Sequence, residues 1–188
     1  MKKLILAATV ATLASAAFAA PENYAIDPSH TAAHFAVSHL GFSTQFGSFD
    51  KTSGNIVLDA EKKTGSVDIS IDTASIDSGW DARDKHLKGE DFFNVEKYPT
   101  ATFKSKNLKF DGDKLVAVDG DFTLLGVTKP LTLAVSDFKC GPHPMMKKAW
   151  CGAAASATLK RSDFGMKAYL PGVGDEVKLT IQVEAGKQ

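Results

Sequence analysis

Five histidines and two cysteines give this 188-residue chain its widest chemical repertoire. His30 and His34 stand four apart, a spacing that chelates metal on a helix. Their neighbours alternate as in a strand, where four residues span about 13 Å. Imidazoles that far apart cannot share a zinc with ligand bonds of about 2 Å. His34 and His39 fall on opposite strand faces, and Asp84 and His86 read as an exposed Asp-x-His pair. The histidines are therefore assigned to capping and hydrogen bonding, and no metal site is predicted. The chain has no Gly-x-Ser-x-Gly elbow, no phosphate-cradling glycine loop and no marked pair of carboxylates. No catalytic residue and no catalytic cofactor are assigned.

Cys140 and Cys151 are spaced neither as Cys-x-x-Cys nor as a zinc site. Their expected state follows from the chain's first residues. Met1-Lys2-Lys3 is basic, Leu4 to Leu13 is apolar, and Ala17-Phe18-Ala19 offers small residues around a cleavage point. Residues 1–19 read as a secretory signal peptide cut after Ala19, leaving one domain over 20–188. The apolar run is short of the roughly 20 residues of a transmembrane helix, so no integral membrane segment is expected after processing. Export to an oxidising compartment predicts a Cys140–Cys151 disulfide, and the flanking strands read as a hairpin that brings the two together. The chain balances 22 basic against 22 acidic residues; losing Lys2 and Lys3 leaves about −2. A nucleic-acid partner, which calls for a basic face, is not expected.

The elements that must position these groups are strands. Phe35, Val37 and His39 alternate with Ala36 and Ser38, and Val67, Ile69 and Ile71 with Asp68, Ser70 and Asp72. Leu131, Leu133 and Val135 alternate with Thr132, Ala134 and Ser136, and Val177, Leu179, Ile181 and Val183 with Lys178, Thr180 and Gln182. This is period two with one apolar face. Further strands fit near Asn55–Ala60, Ala101–Phe110, Lys114–Leu125 and Ala153–Arg161, with turns at Asp111-Gly112-Asp113 and Gly126. About eight or nine antiparallel strands result, and closing them into a barrel removes exposed edges; a sandwich is the other arrangement. Ser78 to Gly89 breaks the alternation and reads as a short helix, capped by Asp77 or Ser78 and stopped at Gly89. Trp80 and Leu87 are expected to face inward, with Asp84 or His86 making a polar contact. Twelve phenylalanines and the alternating Ala153, Ala155 and Ala157, with Ala101 and Ala117, leave two interiors open: a filled core, or space for one apolar ligand.

Several ordered segments together resemble the YceI-like family. They begin with Tyr24-Ala-Ile-Asp-Pro-Ser-His30, Phe35-Ala-Val-Ser-His-Leu-Gly41 and Phe46-Gly-Ser-Phe49. Ile71-Asp-Thr-Ala-Ser-Ile-Asp77, Arg83-Asp-Lys-His-Leu87, Asp91-Phe-Phe93 and Tyr98-Pro-Thr-Ala-Thr-Phe103 follow. Gly126-Val-Thr-Lys-Pro130, Arg161-Ser-Asp-Phe-Gly165 and Gly174-Asp-Glu-Val177 complete the series. The resemblance implies an all-β fold, an extended lipocalin-like antiparallel eight-stranded barrel with a short inserted helix. It implies a periplasmic protein, often a homodimer, holding a polyisoprenoid chain in an apolar tunnel. Cys140 and Cys151, with Gly-Pro-His-Pro-Met-Met between them, resemble a subgroup that binds an isoprenoid quinone. Carried over by motif, the tunnel wall comprises Phe35, Val37, His39, Phe49, Ile69, Phe92, Phe93, Phe103 and Phe122.

The function read from the chain is thus binding or transport of a long isoprenoid lipid. The alternatives are an enzyme acting on an isoprenoid or quinone, and a stress or structural module with a filled core and no ligand.

Overall fold

The strand breakers fall where the chain bends, and the alternating runs between them form one continuous antiparallel sheet. The computed structural model describes residues 20–188; the expected leader, residues 1–19, lies outside them. In chain order the elements are β1 (Glu22–Ile26), β2 (Ala32–His39), β3 (Ser43–Phe49), β4 (Thr52–Asp59), β5 (Thr64–Asp72), β6 (Ile76–Asp77), α1 (Asp81–Leu87), β7 (Thr100–Asp111), β8 (Lys114–Leu124), β9 (Val127–Pro142), β10 (Ala149–Lys160) and β11 (Val173–Lys187). The sheet runs β1-β4-β5-β7-β8-β9-β10-β11, and β1 also pairs with β11, which closes the ring.

Eleven segments make only eight strands. β1 pairs with Ala185–Lys187 of β11 and β2 with Val173–Gln182, so β1 and β2 are two parts of one bent strand. β3 and β4 are separated only by Asp50 and Lys51. β5 and β6 are separated by a 3-10 turn at Thr73–Ser75, where the Asp72 carboxylate accepts a bond from the Ala74 amide. The fold is therefore a closed eight-stranded antiparallel barrel with one short helix, and the sandwich is set aside.

The bend between β1 and β2 corrects the reading of His30. It stands in a turn before β2, where its Nδ1 lies 2.7 Å from the Asp27 carboxylate, which also accepts from the Ser29 amide. Only His34 is in the strand. The Asp27 carboxyl is held down to about 2, chiefly by His30 and then by Ser29. His30 is raised in turn by Asp27.

The apolar face of each strand points inward, yet the strands differ in how completely it is covered. Phe103, Leu108, Leu115, Val118, Phe122 and Leu124 of β7 and β8 are buried. The inward residues of β9 and β11, such as Leu133 and Ile181, are only half-buried, because they border open space.

Disulfide Cys140–Cys151 joins directly opposed residues of β9 and β10, with Cα atoms 4.1 Å apart. It tightens the hairpin whose tip carries Met145 and Met146. At the closing seam Lys187 donates to Glu22 at 2.6 Å, and the Tyr24 hydroxyl donates to the same carboxylate. The Tyr24 phenol is pushed up to about 12, first by burial and then by Glu22. It therefore stays protonated and can serve as a donor at this seam.

Candidate functional site: an apolar cavity with one open end

The inward faces enclose a cavity of about 470 Å³. Apolar surface left facing water in such a space forgoes about 25 cal/mol for each Å² that a ligand could cover. The apolar wall offers water few partners. Occupancy by an apolar molecule is the economical solution, and the volume lies in the range of small-molecule sites.

All nine residues carried over from the family motifs stand on this wall: Phe35, Val37 and His39 from β2, Phe49 from β3, Ile69 from β5, Phe92 and Phe93 after α1, Phe103 from β7 and Phe122 from β8. Phe35, Phe49 and Phe93 form a series of tilted and edge-on rings, with centroids 5.9 and 5.3 Å apart. Ala153, Ala155 and Ala101 also face the space, whereas Ala157 and Ala117 are not part of the wall. Sequence reasoning left out the wall residues of β9 and β11, among them Leu131, Leu133, Leu179 and Ile181. Their alternation marked an inward face without saying that the face borders a cavity. It also gave no sign of Gln45, Thr52 or Tyr169, and it marked Arg161 only as part of a family segment.

The cavity opens at one end. Among its wall residues, only His39, Phe46, His86 and Tyr169 are exposed. They come from the end of β2, from β3, from α1 and from the loop before β11, so these segments frame the mouth. α1 is pinned there by a polar network. Arg83 donates through Nε to Ser78 Oγ at 2.8 Å, through Nη1 to Gln45 Oε1 and through Nη2 to the Ser78 carbonyl. Asp84 accepts from the Ser78 amide at 2.8 Å and from its hydroxyl. The Ser78 hydroxyl thus donates to Asp84 and accepts from Arg83.

Three expectations for this segment are corrected. The helix is shorter than Ser78–Gly89, and its N-cap is Trp80, with no side-chain cap. Trp80 is 63% exposed, not inward; only Leu87 packs against the core. Asp84 does not pair with His86. It turns back to Ser78, and His86 instead lies 3.5 Å from Asp91. Tyr169 donates to Asp91 at 3.3 Å and stacks on Phe92. The neighbouring Asp91 charge is the main reason the Tyr169 phenol is raised.

Two polar groups lie deeper. Arg161 is 3% exposed, and its guanidinium donates to the carbonyls of Gly174, Met166, Ala168 and Val173 at 2.8–3.0 Å. Burial lowers its proton affinity, but four carbonyls satisfy it, so its role is to hold the loop that bears Tyr169. Thr52 Oγ1 is buried without a hydrogen-bond partner among the described residues. Among those residues no group of three or more His, Cys, Asp or Glu is placed to hold a metal.

A closed antiparallel barrel around a single-mouthed apolar cavity belongs to the lipocalin-like class of barrels. The model of the YceI-like domain matches residues 24–185, and the chain is 40% identical to Protein YceI of Escherichia coli O6:H1 over 192 residues, the full length of both. The chain belongs to the YceI-like family. The YCEI protein of Campylobacter jejuni superposes with a TM-score of 0.67 at 29% identity, covering 80% of this chain and 90% of that one. A domain from Saccharophagus degradans, described as a polyisoprenoid binding domain implicated in plant cell wall breakdown, superposes at 0.66 with 18% identity, over 88% and 98% of the two chains. That last likeness is one of fold.

Proposed function

We propose that the barrel binds one long isoprenoid chain, that of an isoprenoid quinone, and carries it in the periplasm after removal of residues 1–19. The observation that carries this reading is the continuous apolar cavity, open at one end and floored by Leu58, Leu108, Leu115 and Cys151. The structural neighbour named for polyisoprenoid binding supports the ligand class. The disulfide is consistent with an oxidising compartment.

In this reading the chain enters tail first. The tail lies towards the disulfide end, and the head group stays at the mouth beside Arg83, His86 and Tyr169. Each buried CH₂ contributes about 0.8 kcal/mol before ordering costs. Affinity therefore follows chain length more than head group.

The test is mass spectrometry of lipid extracted from purified native protein, followed by titration of delipidated protein with prenyl quinones of increasing length. A co-purifying intact prenyl lipid and affinity rising with each isoprene unit are expected. No extracted lipid, with equal weak binding of short and long quinones, would overturn the reading. The enzyme alternative rests on the His86, Asp91 and Tyr169 group, and chemical conversion of the added quinone would favour it.

A further inference from the structure

We infer that the open end of the barrel docks on a lipid bilayer, with Leu40, Phe42, Phe46, Trp80 and Tyr169 seated in its interface. These five are among eight large apolar side chains that stand exposed among the described residues; the others are Val116 on β8 and Met145 and Met146 at the opposite end. The five come from four segments, the β2–β3 turn, β3, the residue before α1 and the loop before β11, and neighbouring residues link them. Leu40 donates its amide to the Gly172 carbonyl at 2.6 Å, and a side chain at Gly172 would press on Leu40 Cδ2. Phe46 borders a shallow groove with Ser78 and Gly79, next to Trp80, under which the Arg83 guanidinium lies at 6.0 Å. Arg83 in turn bonds Gln45 beside Phe46. Tyr169 stacks on Phe92.

Folding does not account for this rim. Leu40 and Gly41 are the central residues of the turn between β2 and β3, which the Phe42 amide closes by donating to the His39 carbonyl at 3.0 Å, with φ of 53° and 72°. Such a turn prefers Asn-Gly, and leucine with positive φ is strained. The next residue, Phe42, is 90% exposed. The Leu125-Gly126 turn between β8 and β9 has nearly the same φ angles, but there the leucine packs against the core; at Leu40 and Phe42 the apolar side chains stay in solvent, where burial gives no reason for them.

The occupant follows from composition, charge and position. Phe, Trp and Tyr around a rim are the side chains of membrane interfaces. The turn from Leu40 to Phe42 carries no charge, and around α1 the cations Arg83, Lys85 and Lys88 mingle with Asp81, Asp84, Glu90 and Asp91. This mixture offers no strong field for an acidic or basic macromolecule and suits a zwitterionic lipid surface. The same rim frames the cavity mouth. On a bilayer the hydrocarbon would continue into the cavity, and a prenyl chain could pass between them without crossing water. This last step rests on the proposed function; the surface binding itself does not.

The test is flotation of the chain from Ala20 onward, which holds every described strand, with phosphatidylcholine vesicles. The wild-type rim is compared with F42S/W80S, and M145S/M146S serves as the control at the other end. Wild type and control are expected to float alike. The rim variant should lose at least tenfold in partition while keeping its melting temperature, and the result should be unchanged from low salt to about 0.5 M. Wild-type protein remaining in the soluble fraction, or a rim variant floating as wild type does, would overturn the inference. So would a dimer in sedimentation that the rim variant dissolves, without vesicle binding, since the rim would then cover a second copy. Flotation by protein that takes up no prenyl lipid from detergent would uphold docking and remove the proposed ligand.

Discussion

At one end of the barrel, Cys140 and Cys151 are bonded cross-strand partners, Glu22, Tyr24 and Lys187 join the closing seam, and Leu58, Leu108, Leu115 and Ala185 are buried. At the other end no covalent tie is present among the described residues. Arg161 gathers two carbonyls of the loop before β11 and two of that strand's first residues, Arg83 and Asp84 tie α1 to Ser78 and Gln45, and large apolar side chains remain in solvent. The closed end is made of strand ladder and core, which order cooperatively. The open end is made of loops held by charge-assisted hydrogen bonds to a few hubs. Such a rim can be varied, or moved, with little effect on the ladder behind it.

Replacing the hub tests the difference most severely. Arg161→Met leaves four carbonyls without their donor and should cost at least about 3 kcal/mol, since bonds to a charged group contribute about 1.5–3 kcal/mol each. Chemical denaturation measures the loss, and hydrogen exchange should show it centred on residues 166–174. Uniform loss of protection over the whole sheet would mean that the two ends are not separately held.

Filling the passage between the ends comes next. Ala155 is buried on the cavity wall, and Ala155→Trp should lower prenyl-quinone affinity at least a hundredfold, about 2.7 kcal/mol, with strand content by circular dichroism unchanged. Retained affinity would place the ligand elsewhere.

Removing the covalent tie probes the closed end alone. Cys140→Ala/Cys151→Ala releases a short hairpin and should destabilise by at most about 3 kcal/mol; because Cys151 lies on the cavity floor, quinone affinity should also fall, but by less than stability does. A loss of affinity larger than the loss of stability would show that the ends communicate. Free-thiol labelling of the non-reduced, denatured wild type should find almost no reactive cysteine.

The smallest effect is electrostatic. Asp27, held down to about 2 in the fold, stabilises above its unfolded value of about 3.9, and that contribution is lost as pH falls through about 2. His30, raised by Asp27, contributes below about 6.5, and its share is lost as pH rises through the folded value. The pair lies near the surface, so the stability difference between wild type and Asp27→Asn should be small and greatest between about pH 4 and 6.5. A difference independent of pH would remove the ion pair from the account.

What the sequence made legible follows from which interactions are local. Alternation along Val177–Val183 and Leu131–Val135 fixes an inward face because side chains in a strand point in turn to opposite sides. The resemblance supplied the barrel and nine wall positions. The mouth was poorly legible. Tyr169 reaches the His86 and Asp91 group across 83 and 78 residues of sequence, and no local pattern announces such a contact. Trp80 shares a helical face with Leu87 by spacing, yet it stands before the first turn as an uncapped N-cap and its side chain stays in solvent. Asp84 was matched to His86 by proximity in sequence, whereas the structure gives it the Ser78 amide and hydroxyl. The break at Asp27–His30 was read through as strand, although Pro28 and an Asp carboxylate two residues before Ser29 are turn-forming chemistry.

The closing ladder also sets an order of events during biogenesis. β11, which follows every other described strand, pairs with β10, β2 and β1, and Lys187 meets Glu22 across 165 residues. Until β11 has been synthesised and delivered, the sheet has two free margins and its interior faces water. Contacts this distant in sequence form slowly, and unpaired margins recruit other chains. The last fifteen residues of the sheet therefore act as the latch of assembly. A chain cut short before Val173 should accumulate as an aggregating open sheet instead of a smaller barrel.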